Sequence, residues 1–257
     1  MSGSIRFVTW NVEWAPPRHV DAISRLLGDA RPDLAVITEG RLNSLPQEGY
    51  VALGDADWGY PTEADRRKVL LWSRFPIHDP QTHDGQGLPP GRLVTAVCET
   101  PNGDWWVAAV CVPWKDAHVR SGRCDATPWQ EHVTFLEALP RVLDAAPAGL
   151  PRVIAGDFNQ RMPRYRVPDW VGNALSEATP GFTFVTSGQL PNLDRLSVQH
   201  IAVSDELVAR SVGGLDRRVG GPVPLSDHDL IWADLTRADP APADRIATDS
   251  NVEVQLV

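Results

Sequence analysis

The feature that most restricts how this chain can fold is a pair of apolar runs, residues 92–98 and 105–112, separated by a Pro-Asn-Gly-Asp turn signal. β-Branched and aromatic residues on both sides of such a turn predict a β-hairpin. Neither run carries a polar face to present to water, so the hairpin has to be covered on both sides. Its 257 residues suffice for one large α/β or two-layer β domain, and no linker composition divides the middle of the chain. With the turn at Asn102-Gly103, Cys98 is expected opposite Val107 and Cys111 opposite Val94, so the two thiols miss each other. Cys124 is the third cysteine and no C-x-x-C spacing occurs; free thiols are expected.

Other short apolar runs end on polar residues. Residues 5–10 read as a strand ending at Asn11, and residues 34–37 as a strand ending at Thr38-Glu39. Between them Val20, Ile23, Leu26 and Leu27 recur at helical spacing, with Gly28 as the stop, which completes a β-α-β unit. Residues 69–73 and 197–203 are further strands, and residues 128–143 a helix that Pro140 interrupts or ends early. Residues 153–155 form a buried strand, after which Gly156 frees the backbone to turn and delivers Asp157 and Asn159 at its end. The last strand, 230–235, follows Ser226-Asp227-His228. Residues 40–66, 78–91 and 162–188 read as loops and the stretch after 203 as a Gly-rich link. The domain is expected over residues 1–236, with residues 237–257 as a mobile tail.

Hydrophobic residues make up 42% and charged residues 22%, as in ordinary soluble proteins. No apolar run approaches the ~18 residues of a membrane span, and the N-terminus lacks a basic region followed by an apolar core. The chain is read as a cytoplasmic monomer. A net charge of −9 argues against tight, sequence-blind binding to nucleic acid, although a bound metal can supply positive charge locally.

Asn11, Glu39, Asp157, Asn159, Asp227 and His228 are each as readily a turn residue as a site residue when taken singly. Together they make a specific chemistry. Asn11, Glu39 and Asp227 offer hard oxygen ligands suited to Mg²⁺, with Mn²⁺ as an alternative, and few His or Cys for Zn²⁺. Asp157 can accept a proton from water that Asn159 orients, and His228 can donate to a negative phosphate. Arg92 and Arg161 are candidate phosphate clamps, weighed against surface salt bridges. His78 and His83 read as solvated loop histidines. Trp14, Trp58, Trp114 and Trp129 can stack on a base or cover a head group, although most tryptophans in such a chain serve the core.

In order, Trp10-Asn11, Thr38-Glu39, Ser73-Arg74-Phe75-Pro76, Gly156-Asp157-Phe158-Asn159 and Ser226-Asp227-His228 resemble the endonuclease/exonuclease/phosphatase superfamily, the metal-dependent phosphoesterases related to DNase I and exonuclease III. The resemblance covers about residues 5–235. It implies a four-layered α/β sandwich of two packed, mainly antiparallel sheets flanked by helices. It also implies that Asn11 and Glu39 bind the metal with Asp227 as a further contact, that Asp157 and Asn159 handle the nucleophilic water, and that His228 binds phosphate.

Two positions depart from the family pattern. Cys111 stands where relatives usually carry a histidine or tyrosine, and Gln199 where an aspartate orients the catalytic histidine. Glutamine can hydrogen-bond an imidazole but cannot stabilise its positive charge. Both departures predict weaker chemistry unless His118, weighed against an ordinary loop histidine, moves in as a substitute acid. The function expected is Mg²⁺-dependent hydrolysis of a phosphate ester by in-line attack of water. The alternative is a relative that binds a phosphorylated ligand or a protein without efficient turnover.

Overall fold

The expected hairpin forms at the middle of a layered stack. The structure, a computed structural model, describes residues 3–61, 63–219 and 223–238. The chain first lays down β1 (Ile5–Asn11), α1 (Val20–Ala30), β2 (Leu34–Arg41), β3 (Tyr50–Leu53) and β4 (Arg66–Ser73). It then builds β5 (Ile77–Thr82), β6 (Leu93–Thr100), β7 (Gly103–Cys111), α2 (Gln130–Asp144), β8 (Arg152–Asp157), α3 (Asp169–Ala178), β9 (Thr183–Phe184) and β10 (Gln199–Val203). Finally β11 (Leu207–Leu215) and β12 (Leu230–Arg237) return to the first sheet. The sheet orders are β11-β12-β1-β2-β4-β3 and β5-β6-β7-β8-β10-β9.

Each sheet is antiparallel except at one central pair, β1 with β2 and β7 with β8, and each of those pairs is joined through a helix. Parallel neighbours need such a crossover. Phe7, Val36 and Leu71 of one sheet meet Val107, Ala155 and Ile201 of the other in the inter-sheet core. On the outer face of the first sheet α1 buries Val20, Ile23, Leu27 and Ala30; full burial of a side chain such as Ile23 contributes roughly 1.5–3 kcal/mol. Helices α2 and α3 cover the second sheet with Phe135, Leu139 and Leu175. The result is the expected four-layered α/β sandwich. No helix among the described residues is long and apolar enough to cross a membrane.

Several local expectations are corrected. The hairpin turns at Pro101-Asn102, so Thr100 pairs with Gly103, Cys98 with Trp105 and Val94 with Ala109. Proline has no N–H for the ladder, and Asn102 is fastened outside it by a hydrogen bond to the Gly3 carbonyl. The three cysteines are nevertheless free. Helix α1 runs past Gly28 to Ala30, and α2 continues through Pro140 because Leu139, Val142 and Leu143 pin its last turn to the sheet.

The stretches read as loops contain β3, β5, α3 and β9, and the Gly-rich link contains β11. Strand β5 hides because it is exposed and its register breaks between His78 and Gln81. Strand β11 hides because Gly213 and Gly214 admit Trp232 and Leu193, which approach within 2.6 and 2.8 Å of where a Cβ would stand. Arg237 belongs to β12, and the remainder of the expected tail from residue 239 lies outside the described residues.

Candidate active site

The two parallel strand pairs face each other, and their C-terminal ends bring Asn11 (β1), Glu39 (β2), Cys111 (β7) and Asp157 (β8) to one end of the sandwich. Ligands in α/β sheets gather where the carboxyl ends of strands open. There a pocket of about 460 Å³ is lined by Asn11, Glu39, Arg92, Asp157, Asn159, Asp227 and His228, with Trp14, Tyr60 and Trp114 among its other walls. Seven of the polar residues singled out from the sequence therefore share one cavity with three of the tryptophans, Trp14, Trp58 and Trp114.

Asp157 is buried and held from both sides: its Oδ2 accepts from Asn11 Nδ2 at 2.9 Å and its Oδ1 from the Asn159 N–H at 2.9 Å. The first bond crosses between the sheets. Burial raises the Asp157 carboxyl above the usual aspartate range, against the opposing pull of His228, Asn11 and the Asn159 amide. Its carboxylate is thereby a better proton acceptor near neutrality. Asn159 sits at φ +51° with its Nδ2 on the Val112 carbonyl at 2.8 Å. Gly156 reaches φ +140° to make this turn.

The turn is braced from behind. His132 of α2 donates to the Pro113 carbonyl through Nδ1, its Nε2 faces Gln160 Nε2 at 2.7 Å, and His200 contacts the Gln160 carbonyl at 3.0 Å. Nothing in the local sequence around these three residues marks them as a brace for the site.

His228 follows Ser226, whose hydroxyl donates to the Asn11 carbonyl at 2.6 Å and accepts from the His228 N–H at 3.0 Å. Trp10 Nε1 donates to the His228 carbonyl at 3.0 Å. Gln199, buried and paired with Asp157 in the β8–β10 register, places Nε2 at 3.3 Å from His228 Nδ1. His228 Nε2 lies 3.4 Å from Asp227 Oδ1, and Asp227 itself is largely exposed, its N–H donating to Glu13.

Glu39 takes φ +51°, between the pairs Thr38↔Val69 and Gly40↔Arg67, which sets it across from Lys68. Lys68 Nζ donates to Glu39 Oε1 at 2.6 Å. Burial pushes the Glu39 carboxyl up, but the charge and hydrogen bond of Lys68, with the charges of His228 and Arg92, bring it below the ordinary glutamate range. Lys68 also lies 4.7 Å from the Trp14 ring centroid, and Trp14 stacks on Trp58 at 4.8 Å. The sequence shows Lys68 only as the last of three cations heading an apolar strand; its partner follows from pairing with β2. Backbones held in the left-handed region at Glu39 and Asn159 are strain of the kind that collects at functional sites.

The other candidates divide. Arg92 is buried in the pocket, with Nη1 3.3 Å from the Cys111 carbonyl. Arg161 lines an adjoining recess of about 240 Å³ that shares Asn159, Asp227 and His228. His118 lines neither: it is buried, stacks on Tyr60 at 4.4 Å, and its Nδ1 accepts the Arg123 N–H. Burial pushes the Cys111 thiol up to about 12, which keeps it protonated and inert within the inter-sheet core. Trp129 packs edge-on against His132, away from the pocket. His78 pairs with Glu99 on the surface.

Among the described residues no group of three or more His, Cys, Asp or Glu is arranged to hold a metal ion. The Glu39 carboxylate and the Asn11 amide oxygen are one acid and one neutral hard donor. That set fits a hard dication which keeps several waters and takes further oxygens from a phosphate.

A model of the Endonuclease/Exonuclease/phosphatase family matches residues 8–228. No curated protein matches the chain by sequence. Among solved structures, a 3'-5' exonuclease (NExo) from Neisseria meningitidis is similar with a TM-score of 0.64 and 17% identity, covering 90% of this chain and 100% of that one. An AP endonuclease from Archaeoglobus fulgidus gives 0.64 and 15% over 89% and 98%. A beta toxin from Staphylococcus aureus gives 0.62 and 14% over 89% and 99%. At these identities the likeness shows a shared fold.

Proposed function

The chain belongs to the endonuclease/exonuclease/phosphatase family, and from that membership and the pocket we propose that it is a divalent-metal-dependent phosphoric ester hydrolase. The observation that carries this reading is the Asn11–Asp157 hydrogen bond at 2.9 Å, which ties the water-handling acid of one sheet to a metal-ligand candidate of the other. Asn11 and Glu39 would hold Mg²⁺ or Mn²⁺, with Asp227 as an outer contact. Such an ion, when bound, polarises the phosphoryl group and neutralises negative charge on the departing oxygen.

The chain's own residues do the rest. Asp157 takes the proton of the attacking water, which Asn159 orients for in-line displacement at phosphorus. His228 donates to a non-bridging phosphoryl oxygen, and Arg92 adds positive charge from the buried wall. A substrate that enters between Trp14, Tyr60 and Trp114 is better a small ester or a nucleic-acid end than a long duplex, in keeping with the net charge of −9. The names of the exonuclease and endonuclease neighbours keep nucleic acid among the candidates.

Cys111 and Gln199 favour a second reading, in which the pocket binds a phosphorylated ligand without efficient turnover. The deciding experiment is hydrolysis of bis-p-nitrophenyl phosphate, plasmid DNA and phospholipid head-group esters with Mg²⁺, Mn²⁺ or EDTA. Metal-dependent turnover lost in Asp157→Ala supports the enzyme. Absence of turnover while Mg²⁺ still binds supports the second reading, and unaltered metal titration of Glu39→Ala would show that Glu39 is not the ligand.

A further inference from the structure

Glu39 is the only acid of the proposed metal pair, and it already has a cation. Lys68 Nζ sits 2.6 Å from its Oε1, with the Lys68 side chain 9% and the Glu39 side chain 21% exposed. The Trp14 ring, 4.7 Å from the ammonium, favours a positive charge there but accepts no strong hydrogen bond in place of a carboxylate. A dication that takes Glu39, even through its Oε2, would face the ammonium across one carboxylate and leave that nearly buried charge under-compensated, which is costly. It would also meet the like charge of Arg92, buried in the same wall.

We propose that the pocket takes up its divalent cation together with the phosphate group of its substrate, because Lys68 and the cation compete for the one Glu39 carboxylate and a phosphate oxygen is the acceptor that compensates the ammonium. The inference rests on the metal-dependent reading above and deepens it: the ligand is a phosphate ester that enters with its cation. Lys68 is then a positioning residue that couples the two. The sparse donor set points the same way, since among the described residues no group of three or more His, Cys, Asp or Glu is arranged to hold a bare ion. Coupling of this kind is reciprocal, so the cation must tighten phosphate binding by the factor that phosphate tightens the cation.

The test is Mn²⁺ binding at mildly alkaline pH, followed by electron paramagnetic resonance, with and without inorganic phosphate. Wild-type protein is expected to bind Mn²⁺ weakly alone and on the order of tenfold more tightly with phosphate. Direct phosphate–metal contact alone would also give coupling, so Lys68→Met decides the cause. It keeps the aliphatic stem against Trp14 and should bind Mn²⁺ alone about tenfold more tightly than wild type, with correspondingly smaller coupling. Lys68→Gln should move the same way and serves if the methionine variant does not fold.

Mn²⁺ affinity in these variants no tighter than in wild type, or wild-type affinity indifferent to phosphate, overturns the proposal. Hydrolysis with uncoupled binding would sink this inference alone. Coupled binding without hydrolysis would sink the enzymatic reading and leave the coupling standing.

Discussion

Gln199 spans the two sheets with one amide: its Oε1 accepts from the Thr9 hydroxyl of β1 at 3.2 Å while its Nε2 lies 3.3 Å from His228 Nδ1. The threonine bond sets the orientation of the amide, which turns an N–H toward the imidazole. That arrangement positions the ring yet places no negative charge at Nδ1, the Asp227 carboxylate lying on the Nε2 side. A carboxylate here would stabilise the imidazolium as well as orient it. Gln199→Asp, or the longer Gln199→Glu, should therefore raise the hydrolysis rate at neutral pH by about tenfold, equivalent to about 1.4 kcal/mol in the barrier. An unchanged or lower rate in both variants would show that the amide is not what limits His228.

The end of β7 offers no proton to a departing group. Cys111 stays protonated up to about 12 inside the core, and His118 is turned into its stack with Tyr60. Turnover should then depend steeply on the leaving group, with nitrophenyl esters hydrolysed at least a hundredfold faster than alkyl esters, a factor within the usual contribution of a general acid, about 10²–10⁴. A series of aryl and alkyl phosphodiesters measures this dependence; a flat series would reveal an acid elsewhere in the pocket.

Gly156 is packed against the neighbouring strand. A Cβ on it would stand 1.9 Å from the Val110 carbonyl oxygen, and its φ of +140° is closed to other residues. Gly156→Ala should cost about 3 kcal/mol or more through strain and overpacking. Urea denaturation reads the loss, and a stability equal to wild type would mean that β7 and β8 separate at little cost.

The brace behind Asp157 makes stability depend on pH. Burial pushes His132 and His200 down to about 4, although the Pro113 and Gln160 carbonyls draw them the other way. In the unfolded chain a histidine titrates near 6.5, so between about 6.5 and about 4 the unfolded state binds more protons. Stability is then fully present above the upper value and falls as pH drops through this window, by up to roughly 1.4 kcal/mol per pH unit for each histidine. Urea midpoints across the window should fall for wild type and fall less steeply for His200→Gln. Parallel slopes would show that other groups drive acid unfolding.

Much of the architecture is carried by local pattern. The buried hairpin, the β-α-β unit around Val20, Ile23 and Leu27, and the polar residues ending β1, β2 and β8 all follow from periodicity and turn chemistry, because a strand buried on both faces tolerates little but apolar residues. Strand β5 and helix α3 were hidden. The first is an exposed edge strand interrupted by Pro80, and the second carries Gly172 and begins after a proline-rich stretch, although Val171, Ala174, Leu175 and Ala178 keep helical spacing.

The family, and the acids, amides and histidine of the pocket wall, are legible along the chain alone, since Asn11, Glu39, Asp157, Asn159, Asp227 and His228 stand at strand ends whose order is recognisable. Pairing across strands and between sheets is invisible to local pattern, because its partners lie far apart in the chain. That is why Lys68 on Glu39, Gln199 between Thr9 and His228, and Gln160 between two buried histidines emerge only when β2 lies beside β4 and β1 lies over β8 and β10. The same packing sorted the arginines and histidines, seating Arg92 in the pocket wall and His118 behind Tyr60, since burial and the nearest acceptor, rather than residue type, decide what a side chain can reach.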